Sequence, residues 1–378
     1  MKIQKIFLYL FVILLLCGFE IVQAQQYKIP KQKEINKRIN YLQRMIDQPL
    51  DYDSDIILLG RENHEFMLFS YAFSSYAMTN LAVRDTIYKE RAIRLIKESI
   101  VKVTDRVIAI RYGVDPLGLK SDSMPNYSVL YLGHLNLMIG CYRLLSADTS
   151  FNDLNDRISK SLFYRYNTSK FLNLESYSSS IWIPDNSVAI ASLKLHGVNA
   201  NSGYDSICVK WVKYVKEQYI DKKTGVLCST INPQTGVAEE EPRGSMLGWS
   251  IMFIYQFDSE FANTLYRNYK KQFSKNYLIF RPFKERFQNN KTSMGDIDSG
   301  PILYGYSIPA NEFALSNAVL SKDFRTARKI ERLIKMGTKN IRKNNEFRYK
   351  VRFMKMNISP MAEALMLHSM TIVKWTEK

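Results

Sequence analysis

The 378-residue chain carries 53 Lys and Arg against 36 Asp and Glu, a formal charge of +17, and 46% of it is apolar. The basic residues are spread along the whole length with no run of five or six, which excludes a nucleic-acid-binding arm; the surplus reads first as a solubility device and second as an attraction for an acidic polysaccharide or an envelope surface. There is no CxxC pair or Cys/His cluster, and His64, His134, His196 and His368 stand singly, so neither a structural zinc site nor another metal centre or cofactor is expected.

The first residues have the build of a secretory signal. Lys2 and Lys5 open it, an apolar run follows from Ile6 to Leu16, and Glu20 and Gln23 interrupt the stretch before the small residue Ala24. The run is too short to span a bilayer comfortably. Cleavage is expected after Ala24; an anchor on Cys17 is disfavoured by the bulky Leu16 before it. This divides the chain into a signal, 1–24, and one domain, 25–378, with a charge of +16 once Lys2, Lys5 and Glu20 are removed. A periplasmic or secreted protein with no further membrane-spanning segment is expected. Cys141, Cys208 and Cys228 would remain, enough for one disulfide and an odd thiol.

Beyond the signal, apolar residues recur at helical spacing nearly everywhere. Helices are expected at 36–47, 62–81, 86–110 behind an Asp85 cap, 126–145, from 150 to about 171, 185–196, 204–219, 245–257, 260–273, 302–320, 324–336 and 360–375. Their character alternates. Segments such as Asn136-Leu137-Met138-Ile139-Gly140 and Ser187-Val188-Ala189-Ile190-Ala191 are apolar on every side, while their partners carry the Lys, Arg and Glu. A helix apolar all round is buried and one with a polar face is peripheral. Six buried helices inside six peripheral ones make an all-α (α/α)6 toroid, with the first helix free to pair with the last, and a toroid explains how some 354 residues share one core. Two exceptions interrupt it: a strand-like alternation at 345–358, read as part of a hairpin or flap, and an irregular excursion at 221–242 with turns at Thr224-Gly225 and Thr235-Gly236.

Three junctions put polar residues directly before buried helices, where a toroid opens its central cleft. In Trp182-Ile183-Pro184-Asp185-Asn186 the acid fits a helix cap, but Trp beside Asp and Asn also suits sugar, with an indole face to stack on a ring and polar groups for its hydroxyls. In Gly295-Asp296-Ile297-Asp298-Ser299-Gly300-Pro301 two closely spaced acids would repel, which raises one carboxyl into a proton donor while the other stays charged. Tyr127, Tyr131 and His134 fall at i, i+4 and i+7 on one helix face, where His134 is either a core residue or a catalyst. Arg243, after the triple acid Glu239-Glu240-Glu241, could hold an anionic group.

Together, Trp182 to Asn186, Gly295 to Pro301 and the helix from Tyr127 to Gly140 resemble bacterial (α/α)6 toroid proteins, both the six-hairpin glycosidase-like group and the linalool dehydratase/isomerase-like group. The glycosidase likeness implies paired carboxylates across a glycosidic bond, Asp185 with Asp296 or Asp298. Trp182, Asn186, Tyr127, Tyr131 and Arg243 would then be substrate contacts, with a carbohydrate or other small molecule as partner. The linalool likeness implies acid/base elimination with histidine and cysteine; His134 suits it, but no cysteine lies in the Trp182 loop. A glycan-binding protein without catalysis is the third reading.

Overall fold

The computed structural model describes residues 27–286, 295–296, 299–300, 302, 304–352 and 357–377; the expected signal and Asp298 lie outside them. Fourteen α-helices are found among the described residues: α1 (Gln32–Asp47), α2 (Asp55–Glu62), α3 (Glu65–Arg84), α4 (Lys89–Thr104), α5 (Arg106–Ala109), α6 (Val129–Leu145), α7 (Asn152–Thr168), α8 (Ile183–Ala200), α9 (Ser206–Gln218), α10 (Gly244–Ile254), α11 (Ser259–Phe273), α12 (Ile308–Leu320), α13 (Phe324–Gly337) and α14 (Pro360–Thr371). No helix among them is long and apolar enough to cross a membrane.

Helices α3, α6, α8, α10, α12 and α14 are buried on nearly every face. Each packs on the next, and α14 returns to α3, so the six close into a ring. Around it stand α4, α7, α9, α11, α13 and α1, each against its inner mate and each burying one stripe. The first helix pairs with the last inner one, as the sequence pattern requires of an (α/α)6 toroid. Side chains end the helices cleanly: Asp258, Ser307, Asp323 and Ser359 each accept a backbone N–H of the first turn. Asp85 caps too, though it caps the single 3-10 turn Thr86–Tyr88 that leads into α4. Inside the ring, Asn136 donates to both Ser159 and Ser192 at 2.9 Å, tying α6 to α7 and α8 through a satisfied polar node.

Several expected boundaries move. Helix α6 begins at Val129, so Tyr127 precedes it and does not share its face with Tyr131 and His134. Helix α8 runs through Gly197 to Ala200 and stops where Asn201 turns left-handed at φ 50°. Helix α2 is an addition to the twelve, packed on α3. The alternation at 345–358 becomes a hairpin whose second strand is β4 (Glu346–Val351), paired antiparallel with β3 (Thr338–Lys343). Asn344 and Asn345, both at positive φ, form its two-residue turn. The excursion at 221–242 holds β2 (Thr230–Ile231), which pairs with β1 (Ile181–Trp182) and so braces the Trp182 loop from behind. Cys141, Cys208 and Cys228 are all free and buried.

Candidate active site

The N-terminal ends of the six inner helices converge on one cleft of about 840 Å³, lined among others by Phe69, Leu130, Asp185, Trp249, Glu312 and Leu365, one from each helix. This follows from the toroid: inner helices all run the same way, so all their amino ends emerge together. Aligned peptide dipoles make that rim positive and favour carboxylates on it. The volume suits a small molecule or a few linked rings. Phe66, Phe69, Phe73, Tyr177, Trp182, Trp249 and Phe313 give the cleft aromatic walls; the Tyr177 and Trp182 rings meet edge to face with centroids 6.4 Å apart.

Carboxyls on this wall differ in state. Asp185, in the first turn of α8, is 6% exposed and faces the cleft. Asp296 accepts from Arg243 at 2.8 Å, from Arg286 at 3.1 Å and from the Ser299 amide at 2.9 Å. Burial works to raise its pKa, but the Ser299 amide and the Arg243 charge outweigh it, so Asp296 is held below the usual carboxylate range. Glu312, on α12, is 3% exposed, and its carboxyl has no hydrogen bond or ion pair among the described residues. Burial, with the nearby Glu363 charge adding to it, raises its pKa well above the ordinary value and so favours the protonated acid. Glu65, at the start of α3, accepts from the Tyr177 hydroxyl.

Of the residues singled out in the sequence, Trp182, Asp185 and Asp296 meet in the cleft. Arg243 stands behind Asp296, buried, with Nε on Glu285 at 3.1 Å; it orients an acid and is not among the residues lining the cleft. Asn186 is fully buried: its oxygen accepts from the Tyr166 hydroxyl and the Leu174 amide, each at 2.8 Å, and its nitrogen donates to the Leu174 and Trp182 carbonyls. It fastens the Trp182 loop and does not reach the cleft. The Tyr131 hydroxyl donates to the Val103 carbonyl at 2.9 Å, and Tyr127 to the Asp115 carbonyl at 3.3 Å, both away from the cleft lining. His134 is 0% exposed, bonded through Nδ1 to the Tyr76 hydroxyl, and sits against the cleft-lining rings of Phe69, Phe73 and Trp249 without lining the cleft itself. Burial drives its pKa down to about 3, leaving a neutral ring in the core.

Sequence reading passed over Glu312, Glu65, Tyr177 and Trp249. The signal for Glu312 was present: it is the one charged residue between Ile308 and Leu320, and an acid in a helix apolar all round must face either a partner or a cavity.

By its closed ring of inner helices and the cleft at their amino ends, the chain has the (α/α)6 toroid fold. Solved structures with this fold include the unsaturated glucuronyl hydrolase of Bacillus sp. GL1, responsible for the degradation of glycosaminoglycan (10% identity, 89% of this chain and 94% of that one, TM-score 0.57). They also include an inactive variant of the Salegentibacter sp. HEL1_6 α-1,6-mannanase, with two aspartates replaced by alanine, in complex with α-1,6-mannotetrose (11%, 90% and 99%, 0.55). A third is a family 105 glycoside hydrolase of C. acetobutylicum (12%, 89% and 98%, 0.52). No family model matches the chain.

Proposed function

We propose that this chain is an exported carbohydrate-active enzyme that hydrolyses a glycosidic bond in the cleft at the amino ends of the inner helices. The observation that carries this reading is a buried carboxyl biased toward its protonated form, Glu312, sharing an aromatic-walled cleft with Asp185 and the ionised Asp296. Glycoside hydrolysis requires such a difference between carboxyls, since one must give a proton while another stays charged. Glu312 donates its proton to the departing glycosidic oxygen. Water adds at the anomeric carbon and passes its proton to Asp185, or Asp185 attacks first. Asp296, with both oxygens held by arginines, stabilises positive charge on the sugar and does not itself take a proton. Trp182 and Tyr177 stack the rings. The activities of proteins that share the fold support this reading of the cleft, and residues 1–24 support export.

The test is a screen of purified chain against soluble oligosaccharides for release of reducing ends, followed by Asp185→Asn and Glu312→Gln. Each variant is expected to lower kcat by about 10²–10⁴-fold. Activity of the parent should fall as pH rises through the elevated pKa of Glu312, and Glu312→Gln should abolish that limb. Hydrolysis in ¹⁸O-labelled water should place label in the product, whereas a lyase or isomerase incorporates none. Unchanged turnover in both variants would sink the proposal.

A further inference from the structure

The basic surplus forms no run of five or six, but it is uneven along the chain. From Lys322 to Arg352 there are twelve Lys and Arg against three Asp and Glu, so this short stretch supplies about half of the chain's +17. It contains the β3–β4 ribbon. Side chains alternate across a strand, and the pairs Lys339↔Lys350, Ile341↔Arg348 and Lys343↔Glu346 therefore share one face. The opposite face carries Phe347 and Tyr349, buried under the Arg38 guanidinium at 4.1 and 4.5 Å from their ring centres.

Three features of the cationic face point outward to an anion. Lys339 lies directly across from Lys350, a like-charged pair that weakens a ribbon unless something negative sits over it. The single acid on this face, Glu346, is already held by Arg44 at 2.6 Å. Among the described residues, Lys339, Lys343, Arg348 and Lys350 form no ion pair, and Arg348 lines the cleft itself. The row thus brings one of its cations, Arg348, to the mouth of the site.

We propose that this ribbon face is a docking track for an acidic polysaccharide, holding its carboxylate or sulfate groups and feeding the chain toward the cleft; the choice of a polysaccharide rests on the function proposed above. From the first pair on this face to the last is four residue steps of ~3.4 Å, a track of about 14 Å, room for a few sugar rings. The face offers no aromatic ring on which bases could stack, since Phe347 and Tyr349 point the other way, and Ile341 is its one apolar side chain, too little to enter a bilayer.

Affinity electrophoresis of the full chain in gels containing polygalacturonate, with dextran as the neutral control, tests this directly. Polygalacturonate should retard the parent and dextran should not. Lys339→Ser/Lys343→Ser/Lys350→Ser should weaken retention by about tenfold or more, in proportion to the lost counterion release. The triple arginine variant should retain it. Lys160→Ser/Lys213→Ser/Lys271→Ser removes the same charge from exposed sites on three outer helices and should change it by less than about twofold. Equal loss in both serine variants, no retardation of the parent, or tighter binding to phosphatidylglycerol vesicles or single-stranded DNA than to polygalacturonate would each overturn the track. The readout is binding, so the two proposals fail separately. A chain that is retarded but cleaves no glycan sinks the hydrolase alone; one that cleaves neutral oligosaccharides but is never retarded sinks the track alone.

Discussion

Arg243 is the residue on which the acidic wall depends. Its guanidinium joins the fully buried Glu285 to Asp296 at the cleft, while Ser245 and Ser307 donate to the same Glu285 at 2.7 and 2.6 Å. Removing one partner of a buried pair leaves a charge without compensation, so Arg243→Ala should cost roughly 3–5 kcal/mol in urea unfolding. Asp296→Asn, at a carboxyl more than a third exposed, should cost far less stability while still lowering kcat. If the two variants prove equally stable, the network is not what holds the wall. His134 gives the contrast: the i, i+4, i+7 spacing that marked it is real between Tyr131 and His134, but spacing on a helix buried all round does not tell a face toward a cavity from a face toward the core. Glu312 was legible by a different rule, the energetic cost of an isolated acid in such a helix, and that rule points at the cleft because only a cavity or a partner can meet the cost.

At the scale of elements, the alternation between apolar and polar helices was readable because burial on every side changes composition along a whole segment, and the six-fold ring followed from it. The ribbon was half readable. Strand β4 shows Phe347, Tyr349 and Val351 at period two because α1 covers that face, whereas β3 is mostly exposed and its Thr-Lys-Asn-Ile-Arg-Lys sequence carries no burial pattern. Close approach between elements was not readable at all. A Cβ on Gly244 would lie 1.9 Å from the Lys284 carbonyl oxygen, and the Gly244 amide donates to the Glu285 carbonyl at 2.7 Å. Only glycine lets the start of α10 sit against residues 283–286, and this contact places Glu285 under Arg243. Gly244→Ala must therefore push backbone from backbone. We expect a loss of about 1–3 kcal/mol in denaturant unfolding together with reduced turnover; a variant as stable and as active as the parent would show that the contact does not matter.

Where the ring closes, one titratable group ties the last inner helix to the first outer one. Glu363, the sole acid of α14, accepts from Arg38 of α1 at 3.3 Å and from the Tyr349 amide of β4, so a single carboxyl joins the last inner helix, the first outer helix and the ribbon. Burial raises its pKa from 4.5 to about 7, with Arg38 and the Tyr349 amide pulling the other way. An acid whose folded pKa lies above its unfolded one binds more protons when folded, and stability falls as pH climbs between the two values. The contribution of Glu363 is thus complete below about pH 4.5 and lost as pH rises through about 7, roughly 3 kcal/mol at full extent. His134 and His368 oppose it: burial lowers both to about 3, so they cost stability as pH drops below the ordinary histidine range. The parent alone would show only a blurred dome, and the informative quantity is the difference from Glu363→Gln, whose amide oxygen still accepts the Tyr349 amide. The gap in unfolding free energy, parent minus variant, should shrink steadily from pH 4.5 to pH 7.5, by up to roughly 3 kcal/mol. A gap that stays constant across that range would mean that Glu363 is already ionised in the folded ring, and that closure rests on its ion pair with Arg38 and not on a buried neutral acid.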